Sequence, residues 1–215
     1  MNNIKIKICG IRREEDISYI NKYMPDYIGF IFYKKSFRYI TPDKAAELKK
    51  LLNRDIMAVG VFVDETADNI LKLCNDDIID IVQLHGNESA DFISYLKEHT
   101  DKPVIRAIRV RSTEQLIDAE KLPCDYLLLD TYTKGDTYGG TGKTFDRDLI
   151  PSDYRPYFLA GGLNADNIKL AISECNPYAV DLSSSVESTH TIDGVSQTFK
   201  DENKIKEIIN IIRAI

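Results

Sequence analysis

The sequence predicts a (β/α)8 barrel that forms one domain over residues 1–215. Three observations carry this. A strand-like stretch followed by a helix-like stretch recurs eight times along the chain, and each unit is long enough for a right-handed parallel crossover. The chain has 215 residues, and one barrel of this kind commonly takes about 200 to 250 residues. The residues able to do chemistry stand at the ends of many strands. A doubly wound open sheet would gather them at one crevice, and no GxGxxG follows the first strand.

The first unit sets the pattern. Ile4, Ile6 and Ile8 alternate with Lys5, Lys7 and Cys9, which is the period of a strand. In a closed barrel the isoleucines face the helices. The lysines then point inward, and Cys9 stands at the C-terminal rim. A helix follows from Arg13 to Tyr23 and ends at Pro25-Asp26. Tyr27 to Tyr33 is a continuous apolar run, as expected of a strand covered on both faces. A basic loop, Lys34 to Tyr39, leads to a helix that Thr41 caps and Pro42 opens. The next strands are Ile56–Val63, Ile79–Leu84, Pro103–Val110 and Asp125–Asp130, with helices Thr66–Cys74, Glu88–Lys97 and Ser112–Ala119 between them. A Gly/Thr-rich loop from Thr131 to Thr144 precedes a short helix at Asp146–Ile150. The seventh and eighth strands are Tyr157–Ala160 and Tyr178–Leu182, with a helix Asn164–Ile172 between them. Asp201–Ile212 is the last helix, with an apolar stripe of Ile205, Ile208, Ile209 and Ile212.

Composition narrows the function. A net charge of −6 leaves no basic field for a nucleic acid. The four cysteines and three histidines are scattered, without metal-ligand or disulfide spacing. No leader pattern precedes the first strand, and no apolar run is long enough to span a bilayer. A cytoplasmic location without membrane contact is expected.

The strand ends collect Cys9, Tyr33 to Arg38, Asp64, Gln83 and His85, Arg109, Asp130, Gly161-Gly162 and Ser183-Ser184-Ser185. Gly161-Gly162 admits close backbone approach, and Ser183 and Ser184 supply hydroxyls and amides. Together they suit a phosphate between strands 7 and 8, and Val186-Glu187 could continue into the extra helix of such sites. Either pair could equally be a plain turn. Cys9 is a core thiol or a base, and a cation such as Lys7 would favour its thiolate. Lys7 itself could simply pair with Asp130 or Asp181. Asp130 ends a strand that is otherwise leucine, and burial there should help it hold a proton. Arg38 is a solvated surface arginine or the grip for a second anion.

These residues fall within blocks that resemble one family. The blocks are Lys7-Ile8-Cys9-Gly10-Ile11, Gly29-Phe30-Ile31-Phe32 with Lys35 to Tyr39, Val59 to Val63, Val82-Gln83-Leu84-His85-Gly86, Leu128-Leu129-Asp130-Thr131, Gly139 to Phe145, Leu159 to Asn164, and Val180 to Ser184. In this order, over nearly the whole chain, they resemble phosphoribosylanthranilate isomerases. The resemblance implies an Amadori rearrangement of N-(5-phosphoribosyl)anthranilate in tryptophan biosynthesis. It implies Asp130 as general acid, Cys9 as general base and Arg38 on the anthranilate carboxylate. Gly161, Gly162, Ser183 and Ser184 would then cradle the phosphate. It implies no metal and no organic cofactor, a small phosphoribosyl substrate as partner, and a monomer or homodimer. Ser185 stands where the family usually has Gly, a position that can need φ > 0. Arg147 replaces a common Trp, which should affect only packing. Ser188 to Phe199 lengthens the path to the last helix on the active-site side. Another barrel enzyme, such as a carbon–carbon lyase, would want a Schiff-base lysine, and Lys7 lies too deep. An inactive relative would be expected to lack Cys9, Asp130 or Arg38.

Overall fold

Eight parallel strands close on themselves in chain order: β1 (Lys5–Cys9), β2 (Tyr27–Ile31), β3 (Met57–Phe62), β4 (Ile81–Leu84), β5 (Val104–Val110), β6 (Tyr126–Thr131), β7 (Tyr157–Leu159) and β8 (Ala179–Leu182). This is a computed structural model, and it describes residues 4–131, 146–151, 153–192 and 194–215. The ring shuts where Lys7 of β1 registers with both Tyr27 of β2 and Asp181 of β8. The helices around it are α1 (Glu14–Tyr23), α2 (Pro42–Leu51), α3 (Ala67–Asn75), α4 (Ala90–His99), α5 (Thr113–Ala119), α6 (Ile168–Cys175) and α7 (Glu202–Arg213).

The period-two pattern splits the core into two shells. Ile6, Ile8, Ile28, Val82, Leu127, Leu129 and Val180 face outward and bury against the helices. Tyr27, Val59, Val61, Ile105, Leu128, Phe158 and Ala179 fill the barrel interior. Near the N-terminal end of the interior, Tyr27, Tyr126, Phe158 and Tyr178 pack ring against ring with centroids 5.2 to 5.7 Å apart. The Tyr27 and Tyr178 hydroxyls hydrogen-bond at 3.0 Å. The predicted Thr41 cap is present, and α7 is capped as well. Thr41 Oγ1 accepts from the Lys44 amide, and Asp201 accepts from the amides of Asn203 and Lys204. The stripe of α7 is buried as its spacing requires.

Two expectations are corrected. The sixth helix begins at Ile168, because Asn164 Oδ1 accepts from the amides of Asp166 and Asn167 and holds a turn there. The extra helix after β8 is a single 3₁₀ turn, Ser184–Val186, and Glu187 does not extend it. Glu187 instead opens an antiparallel hairpin of β9 (Glu187–Ile192) and β10 (Val195–Lys200), which occupies the lengthened path. The Gly139–Phe145 block and most of the Thr131–Thr144 loop lie outside the described residues. A short helical turn, Arg147–Leu149, follows them as expected. Arg147 pairs with Glu174 at 2.8 Å.

Candidate active site

The C-terminal ends of the strands surround an open cavity of about 800 Å³. Cys9, Arg38, Asp130, Gly161, Gly162, Ser183 and Ser184 all line it, so the structure brings every predicted site residue together. Asp64 and Arg109 stand at the same rim outside this lining. Asp64 accepts from the Asn87 amide at 2.6 Å, and Arg109 donates to the His85 carbonyl at 3.2 Å.

The inward face of β1 builds the floor. Lys7 is fully buried and donates to Asp181 Oδ2 at 2.8 Å. Of its two foreseen partners, it takes the one directly across the β1–β8 seam. One layer above, Cys9 is buried beneath the cavity. Burial pushes the thiol up from its ordinary value, and the positive charges of Lys7 and Lys200 pull it partly back. Asp181 is likewise raised, chiefly by burial and against the pull of Lys7. Gly29 gives the thiol its room. A Cβ there would sit 2.6 Å from Cys9 Sγ and 3.1 Å from Cys9 Cα.

Asp130 crosses the mouth from β6 and is also buried. Its Oδ1 accepts from the Thr131 amide at 2.8 Å. Its Oδ2 stands 3.3 Å from His85 Nε2. Gln83 Nε2 lies 3.0 Å from His85 Nδ1, and a donating amide there puts the neutral ring's proton on Nε2, facing Asp130. Gln83, His85 and Asp130 thus stand in a row along the wall, with no hydrogen bond formed between His85 Nε2 and Asp130. Gly161 closes on it from β7. With φ of 83° it occupies the left-handed region, and a Cβ would stand 3.0 Å from Asp130 Oδ1 and 2.7 Å from the Thr131 amide. Gly162 is left-handed too. Ser183 Oγ donates to the Cys9 carbonyl at 3.1 Å, which ties the β8 turn to the end of β1. Ser185 does not adopt a positive φ, so the side chain at this position costs no backbone strain.

Arg38 is not a solvated loop residue. It is 8% exposed, and its Nε and Nη2 donate to Glu187 Oε1 and Oε2 at 2.8 and 2.7 Å. Lys200, also buried, donates to the same Oε1 at 2.8 Å and to the Ser183 carbonyl at 2.9 Å. Burial alone would raise the Glu187 carboxyl, but Arg38 and Lys200 outweigh it and hold the carboxyl below its ordinary value. The sequence reading placed Glu187 only in the extra helix, named Gln83 and His85 only as strand-end residues, and gave no role to Lys200. A signal existed for the hairpin: Asp193-Gly194, a common two-residue turn, stands between stretches with the β-branched residues Thr189, Thr191, Ile192, Val195 and Thr198.

The buried side-chain polar atoms without a partner among the described residues are Gln83 Oε1, His85 Nε2, Thr131 Oγ1, Asp181 Oδ1 and Ser185 Oγ. All five lie in or beside this cavity. Polar groups left unpaired when buried cost stability, and their concentration at one barrel mouth marks a site built for a polar ligand. Fold and site together define a (β/α)8-barrel enzyme.

Comparison with known proteins gives the family. Residues 6–211 match the model of N-(5'-phosphoribosyl)anthranilate isomerase. The N-(5'-phosphoribosyl)anthranilate isomerase of Endomicrobium trichonymphae is 47% identical over 211 residues, covering 98% of this chain and 99% of that one. The crystal structure of phosphoribosylanthranilate isomerase from Thermotoga maritima superposes with a TM-score of 0.85 at 35% identity, covering 99% of this chain and 100% of that one. A further isomerase structure, in complex with reduced 1-(o-carboxyphenylamino)-1-deoxyribulose 5-phosphate, has a TM-score of 0.79 at 32% identity, with 99% and 100% coverage. The chain belongs to the phosphoribosylanthranilate isomerase family and is an isomerase.

Proposed function

We propose that Cys9 and Asp130 carry out the family's reaction on this barrel. The reaction is the Amadori rearrangement of N-(5-phosphoribosyl)anthranilate to 1-(o-carboxyphenylamino)-1-deoxyribulose 5-phosphate in tryptophan biosynthesis. The observation that carries the assignment is that the thiol and the carboxyl line one cavity from different strands, β1 and β6, with the Gly161-Gly162 turn beside the carboxyl.

Asp130 donates a proton to the furanose ring oxygen. The C1′–O bond breaks, and the nitrogen lone pair forms the C=N bond of a Schiff base. The Cys9 thiolate then takes the proton from C2′. The electrons of that bond form C1′=C2′, and the C=N pair returns to nitrogen. The enolamine becomes the ketone by gaining a proton at C1′ and losing one from the 2′-oxygen, so no net proton is consumed. His85 Nε2, 3.3 Å from Asp130 Oδ2, helps to orient that carboxyl. The positive charges of Lys7 and Lys200 favour the thiolate against the cost of burial.

Gly161, Gly162 and Ser184, with the amide side of Ser183, receive the phosphate, and Arg38 meets the anthranilate carboxylate. The chain acts as one barrel domain, a monomer or homodimer, in the cytoplasm. No helix among the described residues is long and apolar enough to cross a membrane. The test couples anthranilate and phosphoribosyl pyrophosphate in situ through the transferase and follows loss of the phosphoribosylanthranilate fluorescence. Rapid decay that is lost in Cys9→Ala is expected. Decay at the wild-type rate in folded Cys9→Ala removes Cys9 from the mechanism.

A further inference from the structure

We propose that Glu187 and Lys200 are positioning residues that aim Arg38 at the substrate carboxylate, so that the hairpin's first rung sets substrate specificity. This rests on the assignment of Arg38 to that carboxylate. Glu187 and Lys200 are directly opposite in the register of β9 and β10. The rung therefore presents one carboxylate and one ammonium side by side beneath Arg38, and both are buried. Glu187 takes the guanidinium by a two-pronged grip, which fixes the plane of that group. The ring of Phe37 covers one face, its centroid 4.1 Å from the guanidinium carbon. The grip uses the Nε hydrogen and one of the two on Nη2, so an arriving carboxylate meets the Nη1 amine and the other Nη2 hydrogen.

Charge supports the same reading. Arg38 and Lys200 share a single buried anion, Glu187. A carboxylate arriving at Arg38 would be the second anion of this cluster. The neighbouring contacts hold the rung in place. Arg12 donates to the Phe37 carbonyl at 2.9 Å and to the Thr198 carbonyl, joining the loop of Arg38 to the hairpin. Arg13 donates to the Lys200 carbonyl at 3.2 Å, and its guanidinium lies 4.1 Å from the Phe199 ring centroid. Through Ser183, Lys200 also touches the turn assigned to the phosphate. One ammonium thereby links the two anion-binding ends of the site.

The experiment measures binding of two ligands by calorimetry. One is reduced 1-(o-carboxyphenylamino)-1-deoxyribulose 5-phosphate, and the other is the same molecule without the carboxyl group. Wild-type protein should prefer the first by about 10- to 100-fold, the range of a charge-assisted grip. Arg38→Met should abolish the preference; if it does not, the Arg38 assignment itself is wrong. Glu187→Gln turns an N–H group toward the cations and releases the grip. It should cut the preference by about tenfold, leave the affinity of the carboxyl-free ligand unchanged, and add nothing in an Arg38→Met background. Three results overturn the proposal while leaving Arg38 in its role. The preference is unchanged in folded Glu187→Gln, or both ligands weaken equally, or the preference rises, which would make Glu187 a competing anion. If Glu187→Gln does not fold, Lys200→Met is measured the same way. A reduced preference supports the proposal and an unchanged one overturns it.

Discussion

The two ends of the barrel interior use the same strands for opposite purposes. At the N-terminal end, Tyr27, Tyr126, Phe158 and Tyr178 meet ring to ring. Two residues further along β2, β6 and β7, the same inward positions hold Gly29, Leu128 and Ala160, and on β8 Asp181 stands three residues after Tyr178. The next positions open into the cavity with Asp130 and the β8 turn. The change is from aromatic rings that fill space, through a layer of mostly smaller side chains, to polar groups around an open mouth. Close-packed apolar groups stabilise, whereas unpaired buried polar groups do the reverse. A barrel can therefore keep a costly mouth if its base is well filled.

The strongest way to break this comparison is at the mouth. Cys9→Ser and Asp130→Asn should each lower kcat by about 10² to 10⁴-fold while the thermal midpoint stays near the wild-type value. A fall in stability that matched the fall in rate would show that the mouth is structural after all. The converse substitution is Phe158→Ala at the base. It should cost about 3 to 5 kcal/mol in denaturant unfolding, with kcat of the folded fraction retained. Gly161→Ala comes next, since its methyl would press on Asp130 and Thr131. The expected loss is about tenfold or more in kcat, measured in the fluorescence assay, with circular dichroism unchanged.

Lys7 sharpens the comparison because it belongs to both regions. Lys7→Met leaves Asp181 buried without its partner, a defect of about 3 to 5 kcal/mol. Adding Asp181→Leu removes the orphaned charge and should restore most of that stability. The double variant lacks Lys7, which lowers the Cys9 thiol, and also Asp181, whose opposing effect is the smaller of the two. If the thiolate is the base, kcat/KM rises with pH through the thiol's titration, and this limb should move to higher pH in the double variant. The smallest effect is expected for Glu187→Gln in acid. The Glu187 carboxyl is held below its ordinary value by Arg38 and Lys200 against burial. Its stabilisation is therefore present above the unfolded-chain value and is lost as pH falls through the lowered one. The variant should unfold with a shallower dependence on pH across that acid window.

Much of the mouth was readable in the chain because each barrel strand ends at it. Alternation in Ile4 to Cys9 told which side chains enter the barrel, and Asp130 stood out after three leucines. Pairings across long separations were not readable. Arg38 and Glu187 are 149 positions apart, and nothing local to either indicates the other. Arg38 in a basic loop looked solvated for that reason. The hairpin was missed for a different reason. Ser188 to Phe199 was read only as a longer path to the last helix, although β-branched residues around Asp193-Gly194 carried a strand signal. The sixth helix started late because asparagine side chains can hold a turn where spacing alone suggests helix.

The seam between the first and last strands has a consequence in time. Lys7 and Asp181 are 174 residues apart, and Lys200 comes later still. A nascent chain emerges from the ribosome in sequence order. Cys9 is therefore exposed to the medium long before the groups that bury it have been made. During that interval it is an ordinary accessible thiol, open to oxidation and mixed-disulfide formation. The thiol proposed as the base is thus among the parts of the molecule most vulnerable to damage at birth. Closure of the ring is the event that ends the vulnerability.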